Sequence, residues 1–104
     1  MRAESLKGHL DGLVLATLRD APAHGYAVIE ALKERSEGAF DLAEGTVYPV
    51  LHRLEAEGLL SSAWSTAAGR RRRVYRLTRR GRAVVAQRRE EWRRFANAVE
   101  AVWV

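Results

Sequence analysis

Residues 45–81, GTVYPVLHRLEAEGLLSSAWSTAAGRRRRVYRLTRRG, decide the fold, because the spacing of apolar side chains changes within them. Up to Gly58 the apolar positions are Val47, Val50, Leu51 and Leu54, one stripe of a helix with 3.6 residues per turn. After Gly58 the period drops to two, and Leu60, Ser62 and Trp64 alternate with Ser61, Ala63 and Ser65. The segment TAAG (66–69) then turns the chain, and Arg73, Tyr75 and Leu77 alternate with Val74 and Arg76. This pattern predicts a helix followed by a two-stranded antiparallel hairpin, with an arginine run on its tip and return strand. Two strands alone are barely stable in water, so the ribbon must lean on the helices through Trp64, Tyr75 or Leu77.

Two registers are open for the start of this helix. Asp41 as N-cap with Glu44 three residues on completes a capping box. Thr46 as N-cap instead places Pro49 in the first turn, where its missing N–H costs nothing. The Asp41 start, with a kink at Pro49, is preferred.

Working upstream, Leu6, Leu10, Leu13, Val14 and Leu18 predict a helix over 5–19, closed by Pro22 because the residue before a proline is pushed out of the helical region. A second helix is predicted over 24–36, burying Tyr26, Ile29 and Leu32 and ending near Gly38, where a left-handed cap is sterically free. Downstream, about Thr78 to Trp103 reads as one long helix. Val85, Trp92 and Val99 repeat every seven residues, and Phe95, Ala96, Val102 and Trp103 fill out a coiled-coil-like seam with Arg88, Arg89, Arg93 and Arg94 outside it. Such a seam exceeds what three short helices can cover, and it predicts a partner chain.

The expected fold class is mainly α with a two-stranded β wing: a winged helix-turn-helix over residues 1–78, followed by a dimerisation helix over 79–104. A chain of 104 residues has no room for a second, catalytic domain. The absence of cysteine removes disulfide frameworks and thiolate zinc sites. No apolar run approaches the roughly 18 to 20 residues that cross a bilayer, and the start MRAESLKGHLDG lacks the apolar stretch of a secretion signal. A soluble, cytoplasmic protein without a membrane partner is expected.

Charge is strongly segregated along the chain. Of the 18 basic residues, 12 arginines fall within 70–94 against only Glu90 and Glu91, while the rest of the chain is acidic on balance. A basic block on a mildly acidic body points to a polyanion; its bland reading is a solvated helical face.

Catalytic constellations are missing. His9, His24 and His52 fall on different predicted elements without metal-ligand spacing, the glycines form no phosphate loop, and neighbouring Glu90 and Glu91 point about 100° apart on a helix. No enzyme activity, metal or cofactor is expected.

In a winged helix the third helix enters the DNA major groove and the wing follows the backbone. With Val47, Val50, Leu51 and Leu54 facing the core, Glu44, Gly45, Thr46, Tyr48, Pro49, His52 and Arg53 are left for the DNA side, and Tyr26 on the second helix joins them. Arg53 has a second reading, as the partner of Glu57 four residues on. Arg70, Arg71, Arg72 and Arg73 sit where long cations reach phosphates or a minor groove, giving affinity without sequence preference.

The segments HGYAVIEAL (24–32), GTVYPVLHRLEAEGLL (45–60) and RRRVYRLTRRG (71–81) resemble the PadR family of bacterial transcriptional regulators in order and spacing. The resemblance implies a homodimer, formed mainly through the last helix, that represses transcription at palindromic operators in double-stranded DNA. The single short C-terminal helix is similar to that of the smaller PadR subfamily, several of whose members sandwich an aromatic or multidrug compound between a Trp from each chain. Trp92 in EEWRRF matches that position, which implies a small-molecule effector; its other reading is a core residue of the seam. The competing function, from another class, is a protein-interaction module that uses the winged helix as a scaffold without binding DNA.

Overall fold

The computed structural model describes residue 6 and residues 8–104. Its elements are α1 (Leu10–Thr17), β1 (Ala23–His24), α2 (Gly25–Arg35), α3 (Glu44–Ala56), β2 (Leu60–Ala67), β3 (Arg70–Leu77) and α4 (Arg79–Trp103). The strands form one antiparallel sheet in the order β1-β3-β2. This is the expected winged helix-turn-helix with a long final helix, plus one strand that the sequence did not announce.

The helix boundaries follow local chemistry. Leu6 is buried as its periodicity requires, but Gly8 has φ +87 and breaks the helical path, so α1 begins at Leu10 instead of within 5–9; residues 5 and 7 of the expected span lie outside the described residues. The α2 stripe is Gly25, Val28, Ile29 and Leu32, which turns Tyr26 outward to 53 % exposure and corrects its assignment to the buried face. At the end of α2, Glu37 and Gly38 have positive φ and Gly38 N–H donates to Lys33 O at 2.8 Å, closing the helix as expected.

For α3 neither expected register is adopted. Its N-cap is Ala43, and both Thr46 N–H and Val47 N–H donate to Ala43 O. The reason lies one residue earlier: Leu42 is 7 % exposed, and with Val47 it occupies the two positions of a hydrophobic staple, so burying Leu42 fixes the cap at Ala43. Glu44 opens the first turn, where a carboxylate suits the helix dipole. Pro49 falls in the second turn, leaving Gly45 C=O without its usual i+4 donor on the solvent side.

Ala67 pairs with Arg70 across a two-residue turn, Ala68 and Gly69, both at positive φ. That turn has the twist that joins antiparallel strands tightly. Leu60, Tyr75 and Leu77 point into the core beside Val47, Leu51 and Leu54. Trp64 does not lean on the helices: it lies beyond them, 54 % exposed. The strand β1 adds only Ala23↔Tyr75 and His24↔Val74.

Thr78 caps α4, its Oγ1 accepting from Gly81 N–H at 3.0 Å and donating to Gly58 O at 2.7 Å. Thr78 N–H donates to Leu59 O at 3.1 Å, so the start of α4 is laced to the loop after α3. A Cβ at Gly81 would strike the carbonyl oxygen of Leu59 and lie 3.1 Å from its carbon. Only glycine allows this approach. Beyond its first turns α4 runs out from the body, giving overall extents of 54 × 28 × 20 Å. Among the described residues no helix is long and apolar enough to cross a membrane.

Candidate nucleic-acid interface

The face of α3 turned away from the core carries Glu44, Gly45, Pro49 and His52, all exposed, with Thr46 and Tyr48 half-buried at its flank. Tyr48 packs on the first residue of α2: a Cβ at Gly25 would sit 2.6 Å from Tyr48 Cζ, so the glycine of the HGY segment is the floor under this ring. The edge of Tyr48 meets His52, with ring centroids 6.4 Å apart. Tyr26 projects from the next position of α2.

Arg53 is engaged elsewhere. Its Nη2 and Nη1 donate to Asp11 Oδ1 and Oδ2 at 2.6 and 3.0 Å, and Nη1 reaches Glu57 Oε2 at 3.3 Å. The expected Glu57 partner is present, but the bidentate bond to Asp11 of α1 dominates. Hydrogen bonding to Asp11 and then its charge push the guanidinium above its already high value. Arg53 thus joins α3 to α1 and has few donors left for DNA. Asp11 was not among the residues singled out in the sequence, because 42 positions separate it from its partner.

The wing arginines divide between two faces. Arg71 and Arg73 lie on the face of Trp64, which pairs directly with Arg73, and their guanidinium carbons stand 4.7 and 5.5 Å from the Trp64 ring centroid. Arg73 is also tied to α3: its Nε donates to Ser62 Oγ at 2.7 Å, Ser62 Oγ donates to Glu55 Oε2 at 2.6 Å, and Arg73 Nη2 lies 3.8 Å from the same carboxylate. Arg70 and Arg72 point to the opposite face, where Arg72 Nη1 lies 3.3 Å from His24 Nε2 on β1. Arg70 and Arg71 have no carboxylate partner among the described residues.

Burial, and then the charge of Arg72, hold His24 below its ordinary value of 6.5, so the folded protein keeps this imidazole neutral and able to accept from Arg72. As pH falls the unfolded chain takes up this proton first. His24 therefore stabilises the fold fully above 6.5, and its contribution declines as pH drops below 6.5 and levels off beneath the folded value. Urea midpoints measured from about pH 7.5 to about pH 5 are expected to fall, with a smaller fall in His24→Asn. Equal falls in both chains would show that His24 is not a source.

On α4, Trp92, Phe95, Val102 and Trp103 are all more than half exposed. Ala96 and Val99 are half-buried between them. Trp92 meets Phe95 with ring centroids 5.9 Å apart and His9 edge-on at 5.4 Å. Val85 lies apart from this stripe: at 6 % exposure it is taken into the core of its own chain.

Similarity to known proteins agrees with this geometry. Transcriptional regulator Rv3488 of Mycobacterium tuberculosis is 40% identical over 86 residues, covering 83% of this chain and 78% of its own. The crystal structure of a PadR family transcriptional regulator from Eggerthella lenta superposes with a TM-score of 0.81 at 33% identity, over 96% of this chain and 86% of that one. A PadR family transcription regulator from hypervirulent Clostridium difficile gives a TM-score of 0.84 at 30% identity, over 93% and 100% of the two chains. Residues 14–87, from the middle of α1 into α4, match the transcriptional regulator PadR-like family, and this chain is a member of it: a DNA-binding transcription regulator and not an enzyme.

Proposed function

We propose that the protein is a homodimeric repressor that reads a pseudo-palindromic operator through α3, holds the flanking backbone with its wing, and pairs through α4. Residues 1–78 then form the DNA-binding unit and residues 79–104 the dimerisation helix. The observation that carries this reading is the pairing of two unspent surfaces on one chain. One is an arginine wing docked on α3 through Glu55, Ser62 and Arg73; the other is an aromatic stripe on α4 that the described residues leave more than half exposed. In proteins most helical stability comes from packing of an amphipathic face, and exposed Trp and Phe at helical spacing are best covered by a second copy. Two-fold symmetry then sets the α3 helices about one DNA turn, roughly 34 Å, apart.

Binding of labelled duplexes as a function of salt tests the DNA half. Replacing Arg71 and Arg72 together by glutamine is expected to weaken binding to every sequence and to reduce the log–log salt slope by about 2. Thr46→Ala, Tyr48→Ala and His52→Ala should instead change which sequences are preferred. A salt-independent affinity would remove the wing from the phosphates, and a footprint indifferent to all three changes would remove α3 as the reader. No binding to any duplex, including the DNA upstream of its own gene, would favour the protein-interaction reading.

Release of the repressor by a planar aromatic effector at Trp92 is the finer part of the proposal. Its support is that Trp92 is 51 % exposed and already oriented by a T-shaped contact with His9, as a stacking residue would need to be.

A further inference from the structure

We infer that Trp64 is a positioning residue of the wing: its indole is a platform that holds the Arg71 guanidinium ready for a DNA phosphate, while Arg73 beside it serves as a strut that fixes the wing to α3. This rests on the DNA-binding reading and divides the arginine run into separate jobs.

The two cations on the Trp64 face are bound differently. Arg73 has spent donors on Ser62 and stands near Glu55, so its charge is partly answered within the protein. Arg71 lies closer over the ring and has no hydrogen-bond acceptor among the described residues. A guanidinium stacked on an aromatic face keeps its in-plane N–H groups free, and those are the donors that grip a phosphate in bidentate fashion. Stacking also narrows the rotamers of a long side chain before DNA arrives, which lowers the ordering cost of binding. Register explains the placement. Counting outward from the turn at Ala68 and Gly69, Trp64 pairs with Arg73, and Arg71 pairs with Thr66, so Arg71 is the diagonal neighbour within an aromatic ring's reach. A tryptophan kept 54 % exposed, with no place in the core, is then explained by what it carries.

The test is a double-mutant cycle on the full chain, with fluorescence anisotropy against an arbitrary duplex of about 30 base pairs over a salt series. Trp64→Ala is expected to weaken binding roughly two- to fivefold and to lower the salt slope by as much as about 0.9, with the melting temperature unchanged. Trp64→Phe should recover most of the affinity, since it restores a ring face. Arg71→Gln should lose at least as much as Trp64→Ala, and the double variant should bind no more weakly than Arg71→Gln alone. Additive losses, or no rescue by phenylalanine, would overturn the platform while leaving DNA binding in place. A wild-type chain without salt-dependent affinity for any duplex would overturn both readings together.

Discussion

Gly81→Ala is expected to remove about 3 kcal/mol of stability, lowering the melting temperature by roughly 15 °C, although it adds a single methyl group to a helix. In an open helix this exchange is favourable by about 1 kcal/mol, because alanine is the better helix former. At Gly81 the new Cβ would meet Leu59 C=O, and a carbonyl anchored in backbone cannot swing aside as a side chain can. The start of α4 must then retreat. That retreat also strains the bonds from Thr78 N–H to Leu59 O and from Thr78 Oγ1 to Gly58 O. The matched control is Gly45→Ala, where nothing lies within 4 Å of the added atom and the helix face is exposed. It should leave the fold as stable or more so, and any effect should fall on DNA binding. Equal melting temperatures for Gly81→Ala and the wild type would show that the α4 start is not locked as described.

Phe95→Glu is expected to turn a species of twice 11.7 kDa into one of 11.7 kDa in light scattering at micromolar concentration. The side chain is 57 % exposed in the single chain, so the substitution leaves the core alone and the monomer should keep its helical circular dichroism. In a two-fold dimer each change counts twice. Losing the burial of two phenylalanines costs about 4 kcal/mol, near a thousandfold in the dimer constant, before the penalty of burying a charge is added. Operator affinity should collapse with it, because one winged helix holds only half a site. A wild-type chain that scatters as a single copy, or a Phe95→Glu chain that stays at double mass, would remove α4 as the pairing element.

The fold was largely legible because its signals are periodic and local. The switch from 3.6 to 2 at Gly58 marked α3 and the wing, and the left-handed end of α2 at Gly38 was found where it was expected. The misses share one cause, that the deciding interaction was remote in sequence or too short to show a period. Strand β1 is two residues long and exists only because β3 offers it an edge. The α3 cap fell on Ala43, a residue with no capping side chain, because Leu42 had a place in the core. For the interface, residue types left Arg53 between the DNA side and Glu57; the Glu57 contact is present, and only the fold shows that Asp11 holds it as well. Of Trp64, Tyr75 and Leu77, the three side chains open to lean on the helices, Tyr75 and Leu77 do so and Trp64 does not, since nothing local says where along the ribbon the helices stop. Counting outward from the turn would have paired it with Arg73.

The sheet has a further consequence for how copies of this protein behave when crowded. Among the described residues strand β1 covers β3 only at Val74 and Tyr75, so no strand pairs with the outer edge of β3 from Arg70 to Arg73. Open edges invite strands from neighbouring molecules, the first step toward aggregation. Here every approaching copy would bring its own four arginines alongside four others. The charge on this edge of β3 also keeps that edge from adding strand upon strand, so replacing the run with neutral β-formers would cost solubility.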